Sequence, residues 1–245
     1  MVRFGVIINP ASRKMRQEGA IERLKKVAQG YDVHFELTEY SEKPTEEIYK
    51  SALKNLLAKD VDILLVASGD GGHHLVDTAL LSLTKGKTTI PQANLRGGTM
   101  NIRADSSKLP TRKLQQIALY TATEFTLKQF LETYGNTKPE DLQIVNRTLI
   151  KVENDGKNQV GFSFSSGVMV KFFEKFYEKG GGHRKALQLV LQSTLSFPKK
   201  GGLIEQYLEP VHGDVFIDNR PLYKNKYNIL MRSLADEIFF SWIRT

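Results

Sequence analysis

No cysteine occurs in the 245 residues. The chain therefore forms no disulfide and offers no thiolate to a metal, which fits a reducing compartment. Apolar runs never approach the ~20 residues of a membrane-spanning helix. The N-terminus also lacks the hydrophobic stretch of a signal peptide, and no internal repeat or low-complexity tract interrupts the chain. These absences lead to the expectation of a soluble, cytoplasmic protein. Its length suits one large domain or two small ones, and a hydrophobic content of 40% is enough for a core.

Acidic residues are the minority. The formal net charge is +8, and residues 171–200 hold seven Lys or Arg against two Glu. Such a segment is attracted to anionic lipid headgroups, by about 1 kcal/mol per basic residue close to the surface. Nucleic acid would respond to the same charge, but no recognised nucleic-acid motif accompanies it. Phe172, Phe173, Phe176 and Tyr177 in this segment stand at helical spacing and read as a core-facing stripe. With Lys171, Lys175 and Lys179 beside them they also allow membrane contact.

The most informative stretch is Leu64-Leu65-Val66-Ala67-Ser68-Gly69-Asp70-Gly71-Gly72-His73-His74. An apolar strand-like run breaks into a Gly-Asp-Gly-Gly turn, and a helical pattern begins straight after it. Glycines at such a junction permit positive φ and a close approach of ligand to backbone. Amides at a helix N-terminus hold phosphate. Asp70 would repel a bare phosphate unless a metal or a proton lay between them, so an acid among glycines points to a magnesium-bound nucleotide. Two further loops follow apolar runs in the same way. Phe4-Gly5-Val6-Ile7-Ile8 ends at Asn9-Pro10-Ala11-Ser12, and Thr89-Ile90-Pro91 leads to Asn94-Leu95-Arg96-Gly97-Gly98-Thr99-Met100-Asn101. In an open α/β sheet, loops of this kind gather at the carboxyl edge of the strands, where ligands bind.

Asn9-Pro10-Ala11-Ser12, Ser68-Gly69-Asp70-Gly71-Gly72 and Gly98-Thr99-Met100-Asn101 with Ala104 stand in the order of three loops of a known family. On these residues the chain resembles the catalytic domain of diacylglycerol kinases, sphingosine kinases and their bacterial lipid-kinase relatives, with NAD kinases as distant cousins. The resemblance implies an α/β nucleotide-binding domain built on a parallel sheet, over about residues 1–125. A mainly antiparallel β-sandwich domain with inserted helices would follow over 126–245, with the site in the cleft between them. It implies ATP and Mg as cofactors. Asp70 would be the catalytic and metal-site acid, and Asn9, Ser12, Arg16, Gly69, Gly71, Gly72, Gly98, Thr99 and Asn101 would hold the nucleotide. Each has a plainer reading: Asp70 as a cap of the following helix, the glycines and polar residues as turn formers, and Arg16 as a surface arginine.

The departures from the family pattern are specific. Ser68 stands at the first loop glycine and Gly72 at the loop threonine. Leu75, Ile102 and Met169 stand at places where relatives carry acids, and acids hold magnesium. In the family an Asp-Gly element in the last strands supplies the general base. Nothing after Ile238-Phe239-Phe240-Ser241-Trp242 matches it, so the second domain is expected to be incomplete at its C-terminus and the base is unplaced.

Elsewhere, periodicity predicts helices over 18–29, 44–57, 73–83, 112–122, 168–179 and 184–196. Strands are predicted over 3–9, 33–37, 62–67, 88–94, 142–145, 149–152, 160–164, 213–218 and 226–231. Asn154-Asp155-Gly156-Lys157 reads as a hairpin turn. Adjacent His73 and His74 point about 100° apart on a helix and so rarely share a metal. The expected activity is phosphorylation of a hydroxyl of diacylglycerol, a sphingoid base or a related lipid. The alternative is a non-catalytic nucleotide- or lipid-binding protein on the same fold. Expected partners are a lipid substrate at an anionic membrane surface and, as an open assembly state, a second copy in a homodimer.

Overall fold

The computed structural model describes residues 1–87, 90–98, 123–142, 144, 146–154, 157–178, 183–196, 203–214, 216–217, 220–221, 225–233, 237–238 and 243–244. They fall into two compact units, residues 1–162 with 234–245, and residues 163–233.

The first unit is built on a parallel sheet in the order β2-β1-β3-β4, with β1 Phe4–Ile8, β2 Val33–Leu37, β3 Ile63–Ser68 and β4 Gln92–Arg96. Every residue of β1 and β3 is buried, which explains why both read as unbroken apolar runs. A parallel strand covered on both faces has no polar side. Alternate side chains feed two cores. Phe4, Val6, Ile8 and Leu65 pack with Leu24 of α1 (Ala20–Val27) and with Leu127 and Phe130 of α4 (Thr123–Tyr134). Ile7, Leu64 and Val66 pack with Tyr49, Leu53 and Leu56 of α2 (Glu46–Leu57) and with Val76 and Leu80 of α3 (Asp70–Leu83). Strands alternating with helices on both faces are the expected doubly covered α/β arrangement.

Several details differ from the sequence expectation. Helix α3 begins at Asp70, so Gly71 and Gly72 form its first turn instead of a loop before it. Positive φ is confined, among the described glycines, to Gly19, Gly30, Gly86 and Gly167. None of the glycines of the Gly-Asp-Gly-Gly segment makes a left-handed turn: Gly69 and Gly72 serve close packing, and Gly71 faces open space. Helix α4, absent from the periodicity reading, buries Leu127, Phe130 and Leu131 at helical spacing. Leu142 and Ile144, read as part of a strand, carry none, and Leu142 packs against the first core instead. The predicted helix over 112–122 lies outside the described residues.

A hairpin of β5 (Ile150–Asn154) and β6 (Lys157–Gly161) adds to the unit, with Asn154 opposite Lys157. The turn residues Asp155 and Gly156 lie outside the described residues. Helix α3 grips β6. The Thr78 hydroxyl accepts from the Val160 amide at 3.1 Å, and the His74 ring stacks on Phe162 at 4.6 Å. A Cβ on Gly161 would fall 1.6 Å from His74 Nδ1, so only glycine fits beneath that ring. This packing gives His74 a structural task. The hairpin, expected in the second domain, is joined by its contacts to the first unit.

The second unit pairs its strands two by two, all antiparallel. β7 (Ser163–Gly167) lies against β12 (Ile229–Ser233), β8 (Val211–His212) against β11 (Lys226–Tyr227), and β9 (Phe216–Ile217) against β10 (Arg220–Pro221). Between β7 and β8 run α5 (Val168–Tyr177), α6 (His183–Ser196) and α7 (Leu203–Leu208). Gly167, at φ 72°, makes the strand-to-helix corner that a residue with a Cβ would strain. Phe176 is buried, and Phe172 stacks on it with ring planes 12° apart. The short antiparallel pair β13 (Glu237–Ile238) and β14 (Ile243–Arg244) belongs instead to the first unit. No helix among the described residues is long and apolar enough to cross a membrane.

Candidate functional site

The three polar loops leave β1, β3 and β4 at one edge of the parallel sheet, because parallel strands all present their carboxyl ends on the same side. Ile8 is in register with Ala67, and Ser68 with Arg96. Main-chain hydrogen bonds then lace the loops together. The Asn9 amide donates to the Ala67 carbonyl at 3.2 Å, the Gly97 amide to the Ser68 carbonyl at 3.1 Å, and the Lys14 amide to the Gly97 carbonyl at 3.1 Å. The Thr123 hydroxyl holds the Arg96 carbonyl at 2.7 Å, so α4 braces the end of β4.

Within the first loop, Asn9 Oδ1 accepts from the Ala11 amide at 2.9 Å, closing an Asx turn. Asn9 Nδ2 donates to the Tyr49 hydroxyl at 2.8 Å. Asn9 is thus buried and committed to shaping its own loop. Arg16 reaches back with its Nε to the Ala11 carbonyl at 2.6 Å, and its guanidinium lies 5.9 Å from the centre of the Tyr40 ring. It braces the same loop from the solvent side.

The second loop is the start of α3. Its N-cap, Gly69, supplies no side-chain cap, and the first turn is Asp70-Gly71-Gly72. A helix start with no capping side chain offers amides and the positive end of the dipole to an anion. Gly71 is exposed, and a Cβ there would meet nothing within 4 Å. Gly69 lies close under the third loop, its notional Cβ 3.3 Å from Gly98 Cα. Thr99 and Asn101, the remaining members of the third loop, lie outside the described residues.

Beneath the loops lies a line of buried hydroxyls. Ser68 Oγ is 3.2 Å from Ser12 Oγ and 3.3 Å from the Tyr49 hydroxyl. Burial pushes the Tyr49 hydroxyl above its ordinary pKa, outweighing the lowering by its hydrogen bonds to Ser68 and Asn9. It is therefore a neutral donor throughout the physiological range. Neither Tyr49 nor Ser68 stands out as a site residue in the sequence. The available signal was the pair of departures at 68 and 72: a Cβ on Gly72 would fall 1.8 Å from Ser68 Oγ. The two positions share one space, and this chain fills it with a hydroxyl from the strand.

The residues present fit a magnesium nucleotide better than a metal caged by protein. Among the described residues no group of three His, Cys, Asp or Glu could hold a metal. Magnesium characteristically takes one or two carboxylates and leaves its other positions to water and phosphate oxygens. Asp70, half-buried at the first position of α3, is an acid beside a turn with no side-chain cap. The buried hydroxyl of Thr38, which follows β2 at the same sheet edge, has no hydrogen-bond partner among the described residues.

No curated protein matches the chain in sequence. Among solved structures, it resembles the crystal structure of a candidate diacylglycerol kinase from Bacillus anthracis str. Sterne, with a TM-score of 0.51 and 16% identity. The match covers 96% of this chain and 66% of the other, so the chain spans just under two thirds of that protein's length. At this identity the likeness is one of fold. The family model described as the diacylglycerol kinase catalytic domain matches residues 3–130, just over half of the chain and all of the laced loops. The chain therefore belongs to the diacylglycerol kinase catalytic domain family, a family of lipid kinases.

Proposed function

We propose that the chain binds Mg-ATP at the carboxyl edge of its parallel sheet and transfers a phosphoryl group to a lipid hydroxyl. The acceptor would be diacylglycerol, a sphingoid base or a related amphiphilic alcohol. The observation that carries this reading is the uncapped, glycine-built start of α3, laced to the loops after β1 and β4 with an acid at its first position. The amides of Gly71 and Gly72 and the Ser12 hydroxyl face the phosphates. Gly69 and Gly98 let the second and third loops close on one another, Asn9 and Arg16 hold the first loop in shape, and Asp70 takes the metal. Thr99 and Asn101 join them on the strength of the family pattern. Bound Mg-ATP supplies the electrophilic phosphorus and the charge that neutralises its oxygens, so the protein's share is positioning and electrostatics.

On α6, Leu187, Leu191 and Leu195 recur every four residues and are 62%, 53% and 74% exposed. With the basic surplus of residues 171–200 they support docking at an anionic membrane surface.

A second reading is favoured by Leu75, Ile102 and Met169 standing at acid positions of the family pattern. It is a relative that binds nucleotide or lipid without turnover. Transfer of radiolabel from γ-labelled ATP to lipid in anionic vesicles separates the two readings. Magnesium-dependent label in diacylglycerol or a sphingoid base is the expected result. Binding of Mg-ATP with no label in any lipid hydroxyl would replace the kinase with the non-catalytic reading.

A further inference from the structure

The buried line Asn9–Tyr49–Ser68–Ser12 has a direction, and the direction follows from counting protons. Asn9 Nδ2 can only donate, so the Tyr49 oxygen accepts from it at 2.8 Å. Tyr49 is fully buried, and its neighbour on the other side is Ser68 Oγ at 3.3 Å. An unplaced hydroxyl hydrogen in the interior costs more than the bond it would have made, so Tyr49 donates to Ser68. Ser68 is 1% exposed, and having accepted from Tyr49 it passes its own hydrogen to Ser12 Oγ at 3.2 Å. Ser12, at the edge of burial in the first loop, is then the end of the line. Its oxygen accepts, and among the described residues no protein acceptor takes its hydrogen.

We infer that Tyr49 and Ser68 are positioning residues of the anion site, orienting the Ser12 hydroxyl so that it presents its hydrogen to a bound phosphate. This rests on the proposed nucleotide site and adds two residues that make no contact with ligand. The exchange at positions 68 and 72 gains a purpose from it. A hydroxyl carried by residue 72 would occupy the space of Ser68 Oγ, as the 1.8 Å approach of a Gly72 Cβ requires. Placed on the strand end, the hydroxyl links the β1 loop to the β3 loop through α2. A chain of hydroxyls polarised in one direction is also a better terminal donor than a lone serine.

The test is a double-mutant cycle on nucleotide affinity, read by titration with Mg-ATP, with melting of the unliganded proteins as the control for folding. At 3.2 and 3.3 Å the hydroxyl pairs are longer than a strong O–H···O bond. The expected loss for Tyr49→Phe or Ser68→Ala is accordingly at the low end of the range for one neutral hydrogen bond, about threefold in Kd. Ser12→Ala is expected to lose about tenfold, because it removes a bond to a charged group. In the Ser12→Ala background the further effects of Tyr49→Phe and Ser68→Ala should vanish, since they act through the lost hydroxyl. Should Ser68→Ala fail to fold, Tyr49→Phe decides alone, because it removes one oxygen and leaves the ring in the core. Equal losses with and without Ser12 would show a packing role and overturn the inference. So would an unchanged Kd in Ser12→Ala. A wild-type protein that binds no Mg-ATP would instead remove the nucleotide site itself, and the inference with it.

Discussion

Gly97→Ala should destabilise the protein by about 3 kcal/mol, the upper end of what overpacking a tight site costs. The reason is what the added methyl would meet. A Cβ on Gly97 falls 2.6 Å from the Ser68 amide nitrogen, 2.7 Å from the Ser68 carbonyl oxygen and 2.9 Å from the Ala67 carbonyl carbon. All three are main-chain atoms of β3, the strand paired to β1 on one side and β4 on the other. A side-chain atom could rotate away, but this backbone moves only if the sheet edge moves. The same shift would break the bond from the Gly97 amide to the Ser68 carbonyl and displace Gly69 at the start of α3. Nucleotide affinity should therefore fall together with stability. Gly71→Ala is the control. It adds a methyl to an exposed position with nothing within 4 Å, so stability should stay within about 0.5 kcal/mol of wild type. Urea unfolding of the three proteins reads both effects, and a Gly97→Ala protein as stable as the control would contradict the close approach.

The second large effect is conditional on its neighbour. Gly72→Ala places a methyl 1.8 Å from Ser68 Oγ, 2.6 Å from the Tyr49 hydroxyl and 2.8 Å from Ser68 Cβ. Ser68 and Tyr49 are both buried and hydrogen-bonded, so neither side chain can swing into solvent. The single change should cost about 2–3 kcal/mol. Ser68→Gly removes two of the three clashing atoms. The double variant Ser68→Gly with Gly72→Ala should therefore be more stable than Gly72→Ala alone, with a coupling of at least about 1 kcal/mol. That outcome would show that positions 68 and 72 are one steric site, filled from the strand in this chain and from the helix in the family pattern. Additive costs would mean that the two departures are unrelated. Ser68→Gly still breaks the hydroxyl line, so recovered stability should leave the loss of about threefold in nucleotide affinity in place.

The sheet and its loops were legible in the sequence because their signals are local. The unbroken apolar runs at 4–8 and 63–67 reflect burial on both faces of a parallel sheet. Glycines and small polar residues at their ends reflect the sharp turns into the next element. The start of α3 is not legible in the sequence because Gly71 and Gly72 are poor helix formers. The presence of Gly72 in that turn is explained by what surrounds it, Ser68 and Tyr49. Ser68 is a near neighbour in the chain, but Tyr49 comes from another helix, and that contact leaves no periodic trace. Tyr49 is the clearest example. With Ala52, Leu53 and Leu56 it forms the apolar face of α2, and only the position of Asn9 and Ser68 over its hydroxyl separates it from an ordinary core tyrosine. The helix over Thr123–Tyr134 was legible in principle, since Leu127, Phe130, Leu131 and Tyr134 keep a helical period.

The claim on which everything else depends is that Asp70 and the laced loops form a magnesium-nucleotide site. Calorimetric titration of ATP with and without magnesium, on the wild-type chain and on Asp70→Ala, tests it most directly. The account predicts binding that requires magnesium and a loss of at least about tenfold in Asp70→Ala, the scale of removing a charged ligand. Melting of the Asp70→Ala protein checks that the variant still folds. Binding of equal strength with and without magnesium, or unchanged in Asp70→Ala, would contradict the metal role given to this acid. No heat from either protein would contradict the nucleotide site.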